Sequence, residues 1–380
     1  MNVYLLVLFL AAGISLPVSA ILWAFSHRLR IPGVFRVNRI DGVKPCWGGV
    51  AVFVAFAVTP FVASAFSDEA SEFFSPKSGD FLGFLGAAAI IFAIGLVDDW
   101  RALGWKPKLL GQIAAASAVY SAGYSIDRLA LPWGTEVEMV GILAPVATVV
   151  WIVFFTNAIN LIDGRDGVAP GVSIFAAVTL AHIAASSHHP AVAVLLVALA
   201  GAGLGFIPFN LPPAASYLGE SGALLLGFVL GSLSIRAATG ITDAVFISVP
   251  IVVLGFPILD TVLAAVRRTL DRKHPFARDA DHIHNRLEKA GFGPRGLLVV
   301  VYTISIALSG AAILIHHVDI FLLELAVLLA FAGFVAVLLA KLGYVVTLWN
   351  SHGIVWLRRR FAFLPPPKPL DPGANPPDRG

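Results

Sequence analysis

Long apolar segments recur along the whole chain, and they constrain the fold more than any other feature of the sequence. A helix that crosses the hydrocarbon core of a bilayer needs roughly 20 predominantly apolar residues. Of the 380 residues, 58% are hydrophobic and only 13% are charged, and the mean hydropathy is +0.86. A water-soluble domain needs more charge than this to cover its surface. The sequence therefore predicts an all-α, polytopic membrane protein.

Eleven transmembrane helices are predicted, and they form one membrane-embedded domain over residues 1–363. A proline-rich tail, 364–380, is predicted to be disordered because it cannot build a core. The first apolar run has no basic residue before it and is followed by basic ones, which favours an uncleaved helix with its N-terminus outside. The predicted spans are 3–25, 47–66, 81–97, 109–126, 140–161, 167–186, 190–208, 222–236, 244–264, 296–316 and 320–345.

Lysine and arginine are concentrated in alternate loops between these spans. Residues 26–46 contain five of them and residues 265–295 contain eight, whereas the opposite loops contain Lys77 and Arg128, with Arg236 at a boundary. Basic residues accumulate in cytoplasmic loops. The pattern predicts a bacterial cytoplasmic (inner) membrane protein with a cytoplasmic C-terminus. The single cysteine, Cys46, excludes an internal disulfide framework.

Two adjacent acids, Asp98 and Asp99, end the third predicted span at its cytoplasmic boundary. Each acid at the centre of a membrane helix costs roughly 2.5–3.5 kcal/mol on insertion scales, so such a pair is expensive to hold. A divalent cation or a proton would relieve the repulsion between the two carboxylates. The alternative is an ordinary solvated helix end.

A second polar group repeats at intervals of three residues. Because side chains at this spacing drift slowly around one helix face, several of them can point into one cavity. Glycines between them allow the backbone to approach a phosphate or ribose closely. Such oxygen ligands suit Mg²⁺, which shares its coordination with substrate phosphates, and Mn²⁺ is the alternative metal. The group consists of Asn157, Asn160, Asp163 and Asp166.

Two further cytoplasmic loops carry candidate residues. One contains Asn210 and Glu220 without any lysine or arginine, and a plain turn is its alternative interpretation. The other is basic and contains the compact sequence His282-Ile283-His284-Asn285-Arg286. Binding of anionic lipid headgroups would explain the basic residues of this loop. It does not explain the histidines, which can donate to phosphate oxygens or act as general acids and bases.

Taken in order, these motifs resemble the polyprenyl-phosphate N-acetylhexosamine-1-phosphate transferase family, glycosyl transferase family 4. The resemblance covers about residues 30–296, and the run from Asn157 to Gly167 is its most specific part. It implies transfer of N-acetylhexosamine-1-phosphate, with GlcNAc favoured, from a UDP-sugar to undecaprenyl phosphate, with release of UMP. The branch that initiates surface polysaccharides is favoured. The expected partners are the polyprenyl phosphate, the UDP-N-acetylhexosamine and the membrane, with no nucleic acid, and a homodimer is one alternative for the oligomeric state.

The resemblance also implies a role for each matching residue. The catalytic group comprises Asp98, Asp99, Asp163, Asp166, His282 and His284, with the first two assisting the lipid phosphate or the metal. The metal ligands are Asn160 and Glu220. The substrate-binding group comprises Lys44, Asn157, Asn210, Asn285 and Arg286.

Two positions depart from the family's pattern. Glu220 stands where the family normally has an aspartate that binds metal, and Asn285 stands where it normally has a third histidine. Glutamate keeps the carboxylate, whereas asparagine can donate a hydrogen bond but cannot carry charge or shuttle a proton. Three alternatives therefore remain: the peptidoglycan lipid-intermediate branch, an inactive lipid-binding paralogue, and a transporter or flippase.

Overall fold

A computed structural model describes residues 2–29, 35–38, 42–74, 79–131, 135–240, 244–271, 282–317, 321–341 and 343. The predicted disordered tail, 364–380, and the first part of the basic loop, 272–281, lie outside the described residues. The fold within this part of the chain is built almost entirely from helices. The predicted all-α class is therefore confirmed, with two small sheets added in the loops.

Fourteen helices are present in the described part of the chain. They are α1 (Val3–Leu29), α2 (Gly48–Ser64), α3 (Asp68–Phe73), α4 (Gly79–Trp100), α5 (Trp105–Ser121), α6 (Leu143–Ile162), α7 (Val168–Ser186), α8 (Pro190–Asn210), α9 (Gly219–Ala237), α10 (Ser248–Val253), α11 (Gly255–Leu270), α12 (Ile283–Lys289), α13 (Pro294–His317) and α14 (Phe321–Lys341).

Seven of these helices are long and apolar enough to cross a membrane, as judged on the described residues alone. They are α1, α4, α6, α7, α8, α9 and α13. Helix α2 is apolar but shorter, with 17 residues. These helices lie within the corresponding predicted spans or extend them by a few residues, because each consists of one apolar run bounded by a polar or glycine-containing loop.

The predicted span 244–264 is not one continuous helix. It begins with a short strand and is then divided at Leu254 into α10 and α11. Gly255 starts the second helix, and Pro257 follows within its first turn, where a missing N–H leaves no helical hydrogen bond unmade. The apolar composition predicted one continuous helix here, and that prediction was wrong because of these two local residues.

Helix α9 forms the centre of the helical bundle and is buried along almost its whole length. It packs against α4, α6, α7 and α2, while α8 packs against α1 and α7 on the other side. Glycines permit the close contacts: a Cβ atom on Gly227 would lie 2.7 Å from the Phe155 carbonyl oxygen of α6. A Cβ atom on Gly49 would lie 2.3 Å from the Gly222 nitrogen. Small residues at helix interfaces allow this approach.

The short strands lie at the two ends of the bundle. Strands β1 (Phe35–Asn38) and β2 (Gly42–Pro45) form an antiparallel hairpin, with Phe35 opposite Pro45. The Tyr217 nitrogen donates to the Pro45 carbonyl oxygen at 2.8 Å, which ties this hairpin to the loop before α9. At the other end, β3 (Arg128–Ala130) pairs antiparallel with β4 (Glu136–Glu138) and parallel with β5 (Val245–Phe246).

Candidate active site

The polar clusters identified in the sequence converge at one end of the bundle. The C-terminal ends of α4, α6 and α8 and the N-terminal ends of α5, α7 and α9 meet there, together with α12. We call this end of the molecule the site end. The predicted alternation of loops had placed these clusters on one side, and several of the hydrogen bonds described below join residues more than 100 positions apart in the chain.

Asp99 caps the start of α9. Its carboxylate accepts hydrogen bonds from the Glu220 nitrogen at 2.7 Å and the Ser221 nitrogen at 2.9 Å, and the Ser221 hydroxyl donates to it at 2.7 Å. Gly219 turns into the helix with a φ of +80°, and a Cβ there would meet the Asp99 carboxylate. A negative charge at a helix N-terminus is stabilised by the unpaired N–H groups and the helix dipole. The structure thus places Asp99 where it fixes the position of Glu220.

Asp98, the neighbouring acid, is buried and has different partners. Lys108 of α5 donates to its Oδ2 atom at 3.0 Å, and the Leu103 nitrogen donates to its Oδ1 atom. The same Lys108 ammonium donates to Glu220 Oε2 at 2.7 Å. Asn160 of α6 donates to that oxygen too, also at 2.7 Å. Four side chains from α4, α5, α6 and α9 therefore form one charged, hydrogen-bonded group, which we call the carboxylate cluster.

The carboxylate cluster fits a Mg²⁺ ion that is held partly by substrate. Asn160 uses its amide nitrogen toward Glu220, which leaves the amide oxygen as a hard ligand, and Glu220 contributes a carboxylate. Mg²⁺ takes one or two carboxylates with waters and phosphate oxygens more often than a cage made only of protein. The described residues contain no group of three or more histidine, cysteine or acidic side chains arranged to hold a metal ion.

Asn157 and Asn210 were predicted to bind substrate, but their amides connect parts of the protein to each other. Asn157 Nδ2 donates to Gln112 Oε1 at 2.7 Å, and Gln112 Nε2 donates back to Asn157 Oδ1 at 3.3 Å. Asn210 Oδ1 accepts from the Gly167 nitrogen at 2.8 Å, and its Nδ2 donates to the Ser216 carbonyl oxygen at 3.0 Å. These contacts make both residues part of the framework of the site.

A buried acid, Asp260, positions the first histidine of the basic loop. Its Oδ2 atom lies 2.7 Å from His282 Nδ1, and its Oδ1 atom accepts from the Ile283 nitrogen at 2.7 Å. Asp260 is completely buried. Since a carboxylate hydrogen-bonded to one imidazole nitrogen fixes the ring's tautomer and orientation, His282 directs its Nε2 atom away from Asp260.

His284 stacks on His282, with ring centroids 5.4 Å apart and planes inclined by 7°. It also lies against the turn after α6, where a Cβ on Gly164 would be 2.9 Å from its Nε2 atom. Burial lowers the pKa of His284 to about 4; the charges of His282 and Arg165 act in the same direction, and Asp260 opposes them. His284 is therefore neutral near pH 7 and can either donate or accept a hydrogen bond.

The remaining predicted residues lie around these groups. Asp166 Oδ2 accepts from the Ala214 nitrogen at 2.9 Å, and Asp163 is half-buried at the end of α6. Lys44 lies over the Tyr217 ring, 5.5 Å from its centroid. Arg286 is buried on α12, and Asn285 Oδ1 accepts from Arg165 at 2.9 Å. Each predicted residue is therefore at the site end.

A cavity of about 390 Å³ opens beside the turn between α6 and α7. Its wall includes Arg165 and Asp166 of that turn, Pro212 and Pro213 of the loop before α9, and Arg295 at the start of α13. Two guanidinium groups and two carboxylates, the second from Glu288, lie in an otherwise mostly apolar wall, and the guanidinium groups suit a phosphorylated molecule.

The sequence interpretation assigned no role to Lys108 or Arg165. Lys108 could have been noticed, because a cation in the first turn of a helix opposes the helix dipole and needs a reason. Arg165 lies within the recognised Gly-rich run, but nothing in its spacing shows that it contacts a helix about 120 residues later.

Several known proteins are similar to this chain in sequence. Residues 81–238 match the model of glycosyl transferase family 4. The "Probable undecaprenyl-phosphate N-acetylglucosaminyl 1-phosphate transferase" of Bacillus subtilis is 33% identical over 282 residues, which are 74% of this chain and 76% of that protein. The "Decaprenyl-phosphate N-acetylglucosaminephosphotransferase" of Mycobacterium tuberculosis is 33% identical over 294 residues, 70% and 71% of the two chains. The "Phospho-N-acetylmuramoyl-pentapeptide-transferase" of Staphylococcus epidermidis is 26% identical over 280 residues, 69% and 82%.

Proposed function

We propose that this chain transfers N-acetylglucosamine-1-phosphate from a UDP-sugar to undecaprenyl phosphate. The chain belongs to glycosyl transferase family 4 and is a sugar-phosphate transferase. The observation that carries the proposal is the carboxylate cluster of Asp98, Lys108, Asn160 and Glu220. It lies at a helix end, where a lipid-bound acceptor and a soluble nucleotide can both reach it. Two of the named relatives, those of Bacillus subtilis and Mycobacterium tuberculosis, are named as acting on undecaprenyl and decaprenyl phosphate, which supports this acceptor.

In the proposed reaction, an oxygen of the lipid phosphate attacks the sugar-bearing phosphorus of the UDP-sugar. A new P–O bond forms, the bond from that phosphorus to the bridging oxygen breaks, and UMP leaves with the electron pair. The protein's work is to orient the reacting groups and to neutralise charge. Phosphoryl transfer through a phosphorylated Asp98 or Asp99 is the alternative, but the engagement of the Asp99 carboxylate by α9 favours direct attack.

Asn160 and Glu220 would hold Mg²⁺, and Mg²⁺ would supply positive charge to the diphosphate. Lys108 keeps Asp98 and Glu220 together although both are negatively charged. Asp99 holds the first turn of α9 and so fixes where the Glu220 carboxylate points. Glutamate in place of the family's aspartate therefore still places its carboxylate against both Lys108 and Asn160.

The basic side of the site would bind the donor. His282, oriented by Asp260, can donate a hydrogen bond from Nε2 to a phosphate oxygen. Neutral His284 covers the Gly164 turn, and the cavity beside Asp166 has room for part of a nucleotide-sugar. We place this site at the cytoplasmic face of a bacterial inner membrane, since the donor is soluble and the loops at the site end are basic. Initiation of a surface polysaccharide is the pathway role we infer.

The test is UMP release by the purified protein in detergent with undecaprenyl phosphate, Mg²⁺ and a panel of UDP-N-acetylhexosamines. Release that requires both the lipid and the metal, and is fastest with UDP-GlcNAc, is expected. A Glu220→Gln variant should lose most of this activity and serves as the control for contaminating enzymes. If folded protein releases no UMP with any donor, the inactive-paralogue alternative replaces the proposal.

The same assay separates the remaining alternatives. Preference for a UDP-MurNAc-pentapeptide donor would assign the chain to the peptidoglycan branch. A transporter or flippase would move lipid across proteoliposomes without any release of UMP. Transport is not favoured by the geometry, because the polar clusters are gathered at one end of the bundle, whereas transport sites lie near the membrane midplane.

A further inference from the structure

Arg165 connects the turn between α6 and α7 to helix α12. One guanidinium nitrogen, Nη2, donates to Asn285 Oδ1 at 2.9 Å and forms an ion pair with Glu288. The Arg165 side chain is 24% exposed and Glu288 is 31% exposed, so both groups are largely removed from water. A charge-assisted hydrogen bond in such surroundings is stronger than one between neutral, solvated groups. We call these three residues the latch.

The latch lies where the candidate catalytic groups on the two segments meet. The residue before Arg165 is Gly164, which lies under the ring of His284, and the residue after it is Asp166, which accepts from the Ala214 nitrogen. Arg165 and Glu288 also form part of the cavity wall. A shift of α12 relative to this turn would therefore move His284 and change the shape of the cavity together.

We propose that Arg165 is a positioning residue, which acts through Asn285 and Glu288 to hold α12 and its histidines against the donor cavity. The effect on enzyme kinetics rests on the proposed function. The docking of α12 by Arg165 does not depend on it. Arg165 also has a buried Nε atom without a hydrogen-bond partner among the described residues. The contacts of the latch are made by Nη2, while the buried Nε atom has no such contact. The guanidinium group therefore depends on α12 staying docked for the hydrogen bonds that compensate its burial.

The latch gives a physical reason for Asn285. An asparagine offers a neutral amide oxygen that always accepts a hydrogen bond from a guanidinium group. A histidine at the same position would accept only through an unprotonated ring nitrogen, and a protonated ring would repel Arg165. Asn285 is on this view matched to Arg165, and replacing it by the family's histidine should impair the enzyme. The inactive-paralogue alternative makes the opposite prediction, because there the histidine would restore activity.

The kinetic signature follows from the docking equilibrium of α12. If α12 is docked in a smaller fraction of molecules, the apparent affinity for the donor falls in proportion to the docked fraction. Saturating donor restores the docked state. Arg165→Leu should therefore raise KM for the UDP-sugar about tenfold to hundredfold, as expected for losing a charged hydrogen bond, with kcat changed less than about threefold. Arg165→Lys, which keeps a cation for Glu288 but loses the planar fork, should give an intermediate KM.

The decisive experiment is a double-mutant cycle on the purified full-length protein. Asn285→His alone should raise KM, and adding it to Arg165→Leu should change KM by less than about threefold, because the partner is already gone. Arg295→Leu is the matched control, since it removes the other guanidinium group of the cavity without touching the latch. When Arg295→Leu is combined with Asn285→His, the fold-changes in KM of the two substitutions should multiply. Independent, multiplying effects of Arg165→Leu and Asn285→His, or faster turnover in Asn285→His, would overturn the proposal.

Hydrogen exchange tests the latch without turnover. In Arg165→Leu, the amides of residues 283–289 should exchange at least several times faster than in the parent protein, while those of α9 and α13 are unchanged. Unchanged exchange in α12 would refute the latch even if the enzyme is active. If the parent releases no UMP but α12 loosens as expected, the proposed function fails and the latch stands.

Discussion

Lys108 is the residue on which the carboxylate cluster depends most. Its ammonium group is the shared partner of Asp98 and Glu220, and its side chain is only 19% exposed. Removing one partner of such a group leaves uncompensated charge at a cost of about 3 kcal/mol, which corresponds to roughly a hundredfold in rate. We expect Lys108→Met to lower kcat for UMP release by about that factor.

Lys106→Met is the matched control for this variant. Lys106 lies in the same helical turn, is exposed, and stands 5.6 Å from the Trp105 ring centroid, away from the cluster. Its substitution should leave kcat within about twofold of the parent value, since exposed charges contribute little. Equal losses in the two variants would show that the net charge of α5 matters and that the Lys108 contacts do not.

His284 gives the folded protein a specific sensitivity to acid. Its pKa is lowered to about 4 by burial, whereas an unfolded histidine titrates near 6.5. Between these values the unfolded chain binds more protons, so stability is fully present above pH 6.5 and is lost as the pH falls toward 4. The loss is roughly 3 kcal/mol from this group. Thermal unfolding in detergent should therefore show a shallower decline of Tm over this range in His284→Gln than in the parent.

Adjacent residues illustrate what a sequence motif can and cannot predict. The pair Asp98-Asp99 was recognised as a unit, but consecutive side chains on a helix project about 100° apart. One carboxylate therefore meets Lys108 and the other meets the start of α9. The identity of the group was predictable from the residue types. The different contacts of Asp98 and Asp99 depend on which helices lie on either side of α4. A short sequence motif contains no information about those neighbouring helices.

At the scale of elements, the glycines of α9 set how closely the central helices pack. A methyl group on Gly227 would lie 2.7 Å from Phe155 O, so Gly227→Ala must push α6 away. Overpacking of this kind costs about 1–3 kcal/mol, which should lower Tm by about 1–4 °C in a chain of this size. Gly310→Ala in α13 is the control, because no atom of the described residues lies within 4 Å of its added methyl group, apart from its chain neighbours and the backbone of its own helix. It should leave Tm unchanged or raise it, as alanine is the better helix former.

Most helices could be predicted because one physical requirement, an apolar run of bilayer length, defines them. The exceptions have local causes that hydropathy averages out. The region 244–264 is apolar throughout, yet a strand, a short helix and a longer helix replace the single predicted span there. Similarly, strands β1 and β2 were predicted only as part of a loop. The alternation of apolar and polar residues in Phe35–Asn38 lasts only four residues, and Gly42–Pro45 begins with glycine and ends with proline, which strands disfavour.

At the scale of the whole molecule, antiparallel connection of successive helices gathers the site. Each long helix reverses direction, so polar residues placed at every second loop arrive at the same end without any local signal between them. This is why residues 98, 160, 166, 210, 220 and 284 could be assigned to one side from the helix order alone. Contacts across that end, such as Lys108 to Glu220, could not be assigned, because helix order does not determine which helices are neighbours.

The orientation of the bundle in the membrane can be measured with the chain's single native cysteine left in place. Cys46 is buried, with 3% of its surface exposed, so a maleimide should label it slowly in the folded protein. Lys106→Cys adds an exposed thiol at the site end, and Glu138→Cys adds one on β4 at the opposite end. If the basic loops are cytoplasmic, a membrane-impermeant maleimide applied to spheroplasts should label Glu138→Cys at once. It should label Lys106→Cys only after the membrane is permeabilised, and the reverse pattern would place the site, and with it the UDP-sugar, on the outer face.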